Sequence, residues 1–338
     1  MRVKLEEVCE RGSSNLKQSD VVKMSGKYPI YGASGHIGNA DFYHQDKPYV
    51  SVIKDGAGIG RAYLNPAKSS VIGTMQYLLP KNNVIPKYLY YVIRYMHLEK
   101  YYTGATIPHI YYKDYKNEQF NLASLEKQER VVEVLEKCEK IINNRRSEIG
   151  KLDELIKARF VEMFGDPIRN TQNRKTTEFI SVVKMQRGFD LAVQKRKQDG
   201  NIPVYGSNGV LDYHNEAKVK NGGIITGRSG TIGKVFFTEG DYWPLNTTLF
   251  SVDKHANNVV YLAYLLELFD LTRFAEGTGV PTLNRNMFHK KQIIDVPIEE
   301  QNQFADFVHQ VNKSKVAVQK ALDEAQLLFD SLMQEYFG

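Results

Sequence analysis

The stretch Tyr28-Pro29-Ile30-Tyr31-Gly32-Ala33-Ser34-Gly35 returns 174 residues later as Ile202-Pro203-Val204-Tyr205-Gly206-Ser207-Asn208-Gly209. Farther along the chain the offset settles at 173 residues, where Ile59-Gly60-Arg61 returns as Ile232-Gly233-Lys234. Glu126 and Gln128 return in the same way as Glu299 and Gln301. A period this long exceeds that of a solenoid repeat. The sequence therefore predicts a duplicated domain, with two similar units related by a pseudo-two-fold axis.

Each copy closes in a long segment with a helical pattern. Residues Ser124 to Phe164 contain no proline, and their apolar residues recur at steps of three and four. The seam positions are Val131, Leu135, Cys138, Ile142, Ile149, Leu152, Ile156 and Met163, and in the second copy Phe304, Val308, Val311, Val318, Leu322, Ala325, Phe329, Leu332 and Tyr336. This heptad pattern is typical of a coiled coil. A helix of that length spans about 60 Å at 1.5 Å per residue. We therefore predict two antiparallel helices that act as a rigid spacer.

The shared heptad register has a second consequence. A seam that pairs with its near-copy is also predicted to pair with itself, so two copies of the first half should associate through an isologous contact. Arg145 and Lys315 each interrupt their own seam, at different heptad positions. Self-pairing would bring two copies of Arg145 near each other.

The rest of each copy mixes short β-rich runs with glycine turns. Strands are predicted at Tyr49–Ile53 and Lys234–Phe237, and helices at Tyr88–Tyr102 and Tyr261–Ala275. The predicted fold class is α+β: two similar mixed α/β domains joined by two long antiparallel coiled-coil helices. The predicted segments are a first domain (1–123), a first spacer helix (124–165), a second domain (166–296) and a second spacer helix (297–338).

The composition limits the class of protein. The 338 residues include 42% hydrophobic residues, enough for two cores, and their net charge of +6 is compatible with a polyanionic partner. The two cysteines, Cys9 and Cys138, are too few for a disulfide framework and lack the spacing of a zinc site. No signal peptide or membrane-spanning stretch is evident. The sequence predicts a cytoplasmic protein.

Two glycine loops look superficially like cofactor sites. Asp55-Gly56-Ala57-Gly58-Ile59-Gly60 resembles a nucleotide-binding loop, and Gly227 to Lys234 resembles a phosphate loop. The first pattern loses its spacing in the repeat, and the second lacks the Ser or Thr that magnesium requires. We interpret both as β-turns. The chain also lacks the Asn/Asp-Pro-Pro-aromatic motif of amino-methyltransferases and any paired-histidine metal motif, so we predict no catalytic, cofactor or metal site.

The repeat pattern resembles the specificity (S) subunits of Type I restriction-modification systems. The segments that carry this resemblance are Ile202–Gly209, Gly227–Lys234, Gly277–Asn284 and Ile298–Gln301. It implies that each domain is a target-recognition domain reading one part of a bipartite DNA site. It also implies that the helices set the gap between the parts and bind two methyltransferase (modification) subunits. Adenine methylation and S-adenosylmethionine would belong to those partners, and restriction or translocase subunits are further candidate partners.

DNA contacts are expected in the exposed glycine turns, where cations and backbone amides can meet phosphates and short polar or planar side chains can meet bases. The candidate DNA-binding residues are Tyr31, Ser34, His36, Lys54, Arg61, Thr106 and His109 in the first domain, and Tyr205, Ser207, Asn208, Arg228, Ser229, Lys234, Thr278, Asn284 and Arg285 in the second. The alternative is that these are ordinary loop residues, with the tyrosines packed into cores. The first copy has Lys54-Asp55-Gly56-Ala57 where the second has Gly227-Arg228-Ser229, and His109-Ile110-Tyr111 where the second has Thr282-Leu283-Asn284, so the two halves are expected to read different bases.

Two other functions compete with DNA recognition. The chain could be a coiled-coil assembly scaffold whose domains bind protein, which differs from a DNA reader by its weak response to salt. A methyltransferase acting alone is disfavoured by the missing motifs.

Overall fold

A computed structural model describes residues 1–104, 107–196, 199–277 and 281–338. The chain forms two compact units by contact: unit 1 is Met1–Arg146 with Lys320–Gly338, and unit 2 is Ser147–Gln319. Each unit therefore contains one repeat domain and parts of both long helices. The division into four segments with separate roles stays a prediction.

The described residues of unit 1 contain nine strands, three short helices, one medium helix and the start of a long one. Its strands are β1 (Arg2–Lys4), β2 (Cys9–Ser13), β3 (Tyr28–Gly32), β4 (Gly35–Ala40), β5 (Tyr49–Ile53), β6 (Ala62–Asn65), β7 (Ser70–Val71), β8 (Met75–Pro80) and β9 (Gln119–Asn121). Its helices are α1 (Leu5–Val8), α2 (Gln18–Val21), α3 (Pro86–Met96), α4 (Tyr112–Tyr115) and α5 (Leu125–Phe164), with a 3-10 helix at Leu98–Tyr101. The sheets have the orders β2-β8-β5-β6, β4-β3-β7 and β1-β9.

Unit 2 repeats this arrangement. Its strands are β10 (Thr176–Glu178), β11 (Lys184–Arg187), β12 (Ile202–Gly206), β13 (Gly209–His214), β14 (Gly223–Gly227), β15 (Val235–Thr238), β16 (Trp243–Pro244), β17 (Thr248–Asp253), β18 (Ala275–Glu276), β19 (Thr282–Leu283) and β20 (Gln292–Ile294). Its helices are α6 (Phe179–Val182), α7 (Val259–Phe269), α8 (Arg285–His289) and the start of α9 (Ile298–Phe337), with 3-10 helices at Val193–Lys195 and Leu271–Phe274. The end of α5 also lies in unit 2, and the end of α9 lies in unit 1. The sheets have the orders β11-β17-β14-β15, β13-β12-β16, β10-β20 and β18-β19. The predicted α+β class and the duplication are confirmed, because strands at equivalent positions occupy equivalent places in the two larger sheets of each unit.

The long helices pair with opposite ends together. In unit 1, Leu135 and Ile142 of α5 share a core with Phe329 and Phe337 from the end of α9. In unit 2, the end of α5 packs beside Phe304 from the start of α9. This is the predicted antiparallel pairing.

The last turns of each long helix depart from the predicted seam. Phe160 and Phe164 of α5 are fully buried, and Met333 and Phe337 at the equivalent positions of α9 are also buried; the heptad pattern includes none of the four. They follow Ile156 and Phe329 at steps of four. The departure arises because these turns pack against a domain core as well as a helix: Phe160 stacks on Tyr261 of α7, with ring centres 5.7 Å apart.

The two medium helices end earlier than predicted. The predictions of single helices over Tyr88–Tyr102 and Tyr261–Ala275 are wrong in their last turns, since α3 ends at Met96 and α7 at Phe269. The next residues, His97 and Asp270, adopt left-handed backbone angles with φ of 49° and 54°, which terminates each α-helix before a 3-10 turn.

The repeated glutamines tie each medium helix to a long one. Gln128 is fully buried; its Oε1 accepts from the Ile85 N–H at 2.8 Å, and its Nε2 donates to the Ala123 carbonyl at 2.9 Å. Gln301 makes the equivalent bonds to the Asn258 N–H at 2.9 Å and the Val296 carbonyl at 2.8 Å. The repeated Glu-x-Gln element therefore has a structural basis, because its glutamine satisfies buried backbone groups at the start of α3 or α7.

Candidate nucleic-acid interface

Three loops of unit 1 meet at one end of its four-stranded sheet. We call them the first loop cluster: the β3–β4 turn (33–34), the β5–β6 turn (54–61) and the described segment 107–111. The Tyr63 hydroxyl donates to the Ala33 carbonyl at 2.8 Å, which joins β6 to the first turn. The Ile110 N–H donates to the Lys54 carbonyl at 2.9 Å, which joins the second and third loops.

A charged triplet lies within the first loop cluster. Asp55 Oδ1 is 2.6 Å from His109 Nδ1, and Asp55 Oδ2 is 3.8 Å from Lys54 Nζ. Each of these side chains is about one-third exposed, at 28% for Lys54, 29% for Asp55 and 35% for His109. Because the carboxylate holds Nδ1 of the imidazole, Nε2 is the ring nitrogen left to face a ligand.

Unit 2 has the equivalent second loop cluster: the β12–β13 turn (207–208), the β14–β15 turn (228–234) and the described segment 281–285. Lys234 Nζ donates to Asn208 Oδ1 at 2.8 Å, which joins the first two loops. The Leu283 N–H donates to the Arg228 carbonyl at 2.7 Å, which joins the second and third. Ser229 and Thr282 form an antiparallel bridge where Asp55 and His109 form one in unit 1.

Lys54 and Arg228 occupy the same backbone position in the two clusters. The Lys54 N–H donates to the Thr74 carbonyl at 3.0 Å, and the Arg228 N–H donates to the Thr247 carbonyl, at the equivalent place, at 2.8 Å. Their side chains have different neighbours. Lys54 lies beside a carboxylate, whereas Arg228 Nε is 3.4 Å from the carbonyl oxygen of Asn246.

One cation of the second cluster was missed by sequence reasoning. Arg187 Nε is also 3.4 Å from the Asn246 carbonyl, so this exposed arginine at the end of β11 lies beside Arg228. Its position depends on the pairing of β11 with β17, which brings together residues far apart in the sequence. No local motif marks it.

The glycine loops in both clusters connect antiparallel strands, as predicted, although each loop is longer than a four-residue β-turn. The loop after Asp55 joins the antiparallel pair β5 and β6, and Gly227 to Lys234 joins the antiparallel pair β14 and β15. Gly60 and Gly233 have φ of 82° and 87°, and an added Cβ would lie 2.5 Å from Glu99 N and 2.3 Å from Thr272 Cγ2, respectively. Glycine is therefore required where each turn approaches the 3-10 helix.

Several candidate DNA-binding residues have structural roles or lie at the edge of their loop cluster. Tyr205 is only 8% exposed, and its ring packs against Tyr242 at 5.9 Å, so its selection as a DNA-contacting residue is corrected to a core position. Tyr31 is half-buried and packs on the core beneath the β3–β4 hairpin. Arg61 is exposed and its guanidinium lies over Gly58. Thr106 and Thr278 lie outside the described residues.

The remaining candidates are accessible in their loops. Ser34 and His36 are exposed, and His36 Nε2 is 3.0 Å from Asn39 Oδ1. Ser207 lies beside the β14–β15 turn, with its Oγ near Gly230. Asn284 caps α8 by accepting from the Asn286 N–H at 3.1 Å, so part of its hydrogen-bonding capacity is used.

Arg285, the first residue of α8, lies near a buried histidine. Burial lowers the pKa of His289 below its ordinary value, and the positive charges of Arg285 and Lys184 lower it further. The neutral ring accepts a hydrogen bond at Nε2 from the Met185 N–H at 3.1 Å. His289 thus fixes α8 to β11 and holds Arg285 at the edge of the second loop cluster.

The described parts of the chain show neither a metal-binding group nor a membrane span. Among them no set of three or more His, Cys, Asp or Glu side chains is arranged to hold a metal ion. None of the described helices is long and apolar enough to cross a membrane.

Comparison with known proteins gives the family. The model of the Type I restriction modification DNA specificity domain matches residues 1–151 and again residues 169–325. The chain belongs to this specificity family. Each of the two matched regions contains one loop cluster. The duplicated domains are therefore two DNA specificity domains. The resemblance to Type I specificity subunits is confirmed.

Solved structures share the fold of this specificity-family chain. The S subunit of a Type I restriction-modification system from M. genitalium has a TM-score of 0.63 and 16% identity over 100% of this chain and 96% of its own. A structure described as the basis of complex assembly and conformational transition of the type I R-M system has a TM-score of 0.58 and 14% identity, over 99% of this chain and 97% of its own. A search of curated protein sequences found no match.

Proposed function

We propose that this chain is the non-catalytic DNA-recognition subunit of a Type I restriction-modification enzyme and that it reads a bipartite, asymmetric site. Each loop cluster would read one half-site. The long helices would set the gap between the half-sites. Its place of action would be the cytoplasm.

The observation that carries this proposal is the equivalence of the two loop clusters. They share backbone bonds at Lys54 and Arg228, yet the flanking bridge pairs are Asp55 with His109 in one and Ser229 with Thr282 in the other. Base edges are distinguished by the donors and acceptors presented to them. One backbone frame with two different sets of side chains is what a reader of two different half-sites requires.

The same duplication supports two methyltransferase partners. Leu155 on α5 and Leu328 on α9 stand at equivalent positions and are 47% and 53% exposed. Leu125 and Ile298 form a second equivalent pair, 47% and 39% exposed. A surface presented twice suits two copies of one partner. We place S-adenosylmethionine and adenine methylation in those subunits, and restriction or translocase subunits would join the same assembly.

Salt-dependent binding tests the DNA role. The assembled enzyme with Arg228→Ala and Lys234→Ala should bind duplex DNA more weakly, and the dependence of log affinity on log salt should become shallower by about two for two lost phosphate contacts. The measurement is fluorescence anisotropy of a labelled duplex containing the methylated site, from low to physiological salt.

A matched control removes the same charge elsewhere. Lys151 and Lys313 are exposed on α5 and α9, so replacing both with Ala changes the net charge equally and should leave the slope unchanged. Equal slopes for the two double variants would remove the β14–β15 turn from the DNA surface. Weak, nearly salt-independent binding by the unsubstituted enzyme would favour a protein-binding scaffold instead.

A further inference from the structure

Charged contacts between the long helices and their neighbours differ in sign between the two units. In unit 2, Lys157 near the end of α5 pairs with Glu267 on α7, with Nζ and Oε1 2.7 Å apart. At an offset of 173 residues, the equivalent positions in unit 1 are Asp330 on α9 and Arg94 on α3. Near the end of the long helix, the residue at this position is basic in unit 2 and acidic in unit 1. Its counterpart on α7 or α3 carries the opposite charge in each unit.

The unit 1 residues lie close together as the equivalence requires. Arg94 and Asp330 line one cavity between α3 and the end of α9. The Arg94 guanidinium is 5.2 Å from the ring centre of Phe329, the residue before Asp330, and it also pairs with Glu139 of α5. The unit 2 contact is thus an ion pair, and in unit 1 the equivalent residues, with their charges exchanged, line one cavity.

A second contact differs in polarity rather than in sign. In unit 2, Lys315 of α9 pairs with Asp153 of α5 at 2.5 Å. The equivalent residues in unit 1 are Ile142, which is 5% exposed, and Gln326, and both line one cavity. The interruption of the second seam by Lys315 is therefore matched by a carboxylate on the facing helix.

We infer that these contacts make the first half pair with the second half in preference to either half pairing with itself. The equality of the heptad seams predicts self-pairing, but residues in and beside the seams oppose it. In a first-half pair, Arg94 would face Lys157 of the other copy, and Asp153 would face the apolar Ile142. An isologous contact presents each unfavourable pair twice.

The second half is subject to the same restriction. Self-pairing would place Glu267 opposite Asp330 and would leave Lys315 facing Gln326. Like-charge contacts, and charges that lose their opposite partner, discriminate against a wrong partner in addition to the matched pairs that favour the right one. The surface therefore selects one partner, the other half of the same repeat, and maintains two different recognition domains in one particle. This inference does not depend on DNA binding.

The test begins with the intact, folded chain. A protease site is inserted after Arg169, whose side chain is 82% exposed in the segment between α5 and β10, and the purified chain is then cut into a first and a second piece. A tagged, isotope-labelled preparation is mixed with an untagged, unlabelled one. Incubation continues, with mild denaturant if needed, until unlabelled second pieces appear beside tagged first pieces, which shows that exchange has occurred.

Mass spectrometry of the tagged complexes then counts each piece. We expect tagged first pieces to hold second pieces, with untagged first pieces at about a tenth of that share or less, given two like-charge contacts per self-pair. Equal shares of untagged first and second pieces after exchange would overturn the inference.

Two substitutions should reduce the preference, and together they should bring the two shares close to parity. Lys157→Glu would place a carboxylate opposite Arg94 in the self-pair, and Asp153→Leu would give Ile142 an apolar neighbour there. Each also removes an ion pair from the native pairing, so each should raise the share of first-piece pairs severalfold, and together roughly tenfold. Lys151→Glu makes the same charge change at an exposed position of α5 and should have no effect. If neither substitution exceeds this control, the contacts do not select the partner.

Discussion

Asp55 and Ser229 show how one backbone position can carry two chemistries. Each bridges to the third loop of its cluster, Asp55 to His109 and Ser229 to Thr282. The carboxylate orients an imidazole at 2.6 Å, whereas the hydroxyl pair offers smaller groups that can both donate and accept. The difference between the half-sites is therefore expected to reside in these pairs.

Replacement of the Asp55 and His109 pair by the side chains of the second cluster tests this expectation. Replacing Asp55 with Ser and His109 with Thr should change or relax the bases read in one half-site, by about 10- to 100-fold in discrimination, and leave the other half-site unchanged. Asp55→Asn alone, which keeps a hydrogen-bond acceptor for His109 Nδ1, should retain more of the original preference than Asp55→Ala. Methylome sequencing of a host that carries the chain with its partner subunits reads both half-sites at once.

A second imidazole and carboxylate pair provides the control. His97 Nδ1 lies 3.2 Å from Glu99 Oε1, on an exposed turn after α3. His97→Asn with Glu99→Gln should leave both half-sites as they are. An unchanged first half-site after the Asp55 and His109 exchange would assign discrimination to other residues of the cluster.

The sequence located the turns of the candidate site but not the contacts within them. Glycine spacing predicted the loops that hold Lys54 and Arg228, because turns depend on local backbone angles. The contact of Asp55 with His109 joins residues 54 positions apart, and the position of Arg187 depends on strand pairing. The burial of Tyr205 is not predictable from its sequence motif, because a tyrosine in a turn motif has the same local pattern whether its ring faces solvent or a core.

At the scale of elements, the repeated Glu-x-Gln motif separates into an exposed and a buried residue. Gln128 is fully buried, whereas the Glu126 side chain is 76% exposed and pairs with Arg130 one turn along the helix. The same motif thus supplies both a structural residue and its own control. Removing the amide would leave the Ile85 N–H and the Ala123 carbonyl without this partner in a buried site.

Gln128→Met should weaken the attachment of α3, and Gln301→Met that of α7. We expect about 2 kcal/mol or more to be lost locally in each case, since a buried backbone group without a partner costs about 1–3 kcal/mol. Hydrogen exchange followed by mass spectrometry should show roughly thirtyfold faster exchange in α3 alone for the first variant and in α7 alone for the second. Glu126→Met and Glu299→Met should change neither; similar exchange in all four variants would show that the glutamines do not hold the helices.

The length of a helix is predictable from the sequence where a single heptad periodicity extends over the whole helix. The bounds of α5 differ from the predicted 124–164 by one residue, because the apolar heptad register continues on both sides of Arg145 and no proline interrupts the segment. The ends of α3 and α7 are not predictable in this way. Each helix stops where a residue, His97 or Asp270, adopts left-handed backbone angles, and neither glycine nor proline marks the boundary in the sequence. The heptad pattern does not include Phe160 and Met333. Their burial depends on the domain cores, and the sequence pattern of one helix contains no information about those cores.

For the whole molecule, duplication determines what the chain can present to its partners. A residue whose repeat equivalent is also exposed and apolar is available twice, as with Leu155 and Leu328. A residue without such an equivalent is available once: Ile141 is 49% exposed, but Ser314 stands at its equivalent position. Repeated and unrepeated positions should therefore contribute differently to the binding of two identical subunits.

The proposed docking of two methyltransferase subunits is tested by the number of subunits that the chain binds. Leu155→Gln should remove one subunit from the assembly, Leu328→Gln the other, and the double variant both, because loss of a buried leucine contact weakens an interface by about 10- to 100-fold. Native mass spectrometry of the chain mixed with methyltransferase at a concentration near its affinity gives the number bound. Ile141→Gln removes a similarly exposed apolar residue from an unrepeated position and should leave two subunits in place. The docking proposal would be wrong at these positions if the double variant still bound two subunits, or if Ile141→Gln lowered the number as much as Leu155→Gln.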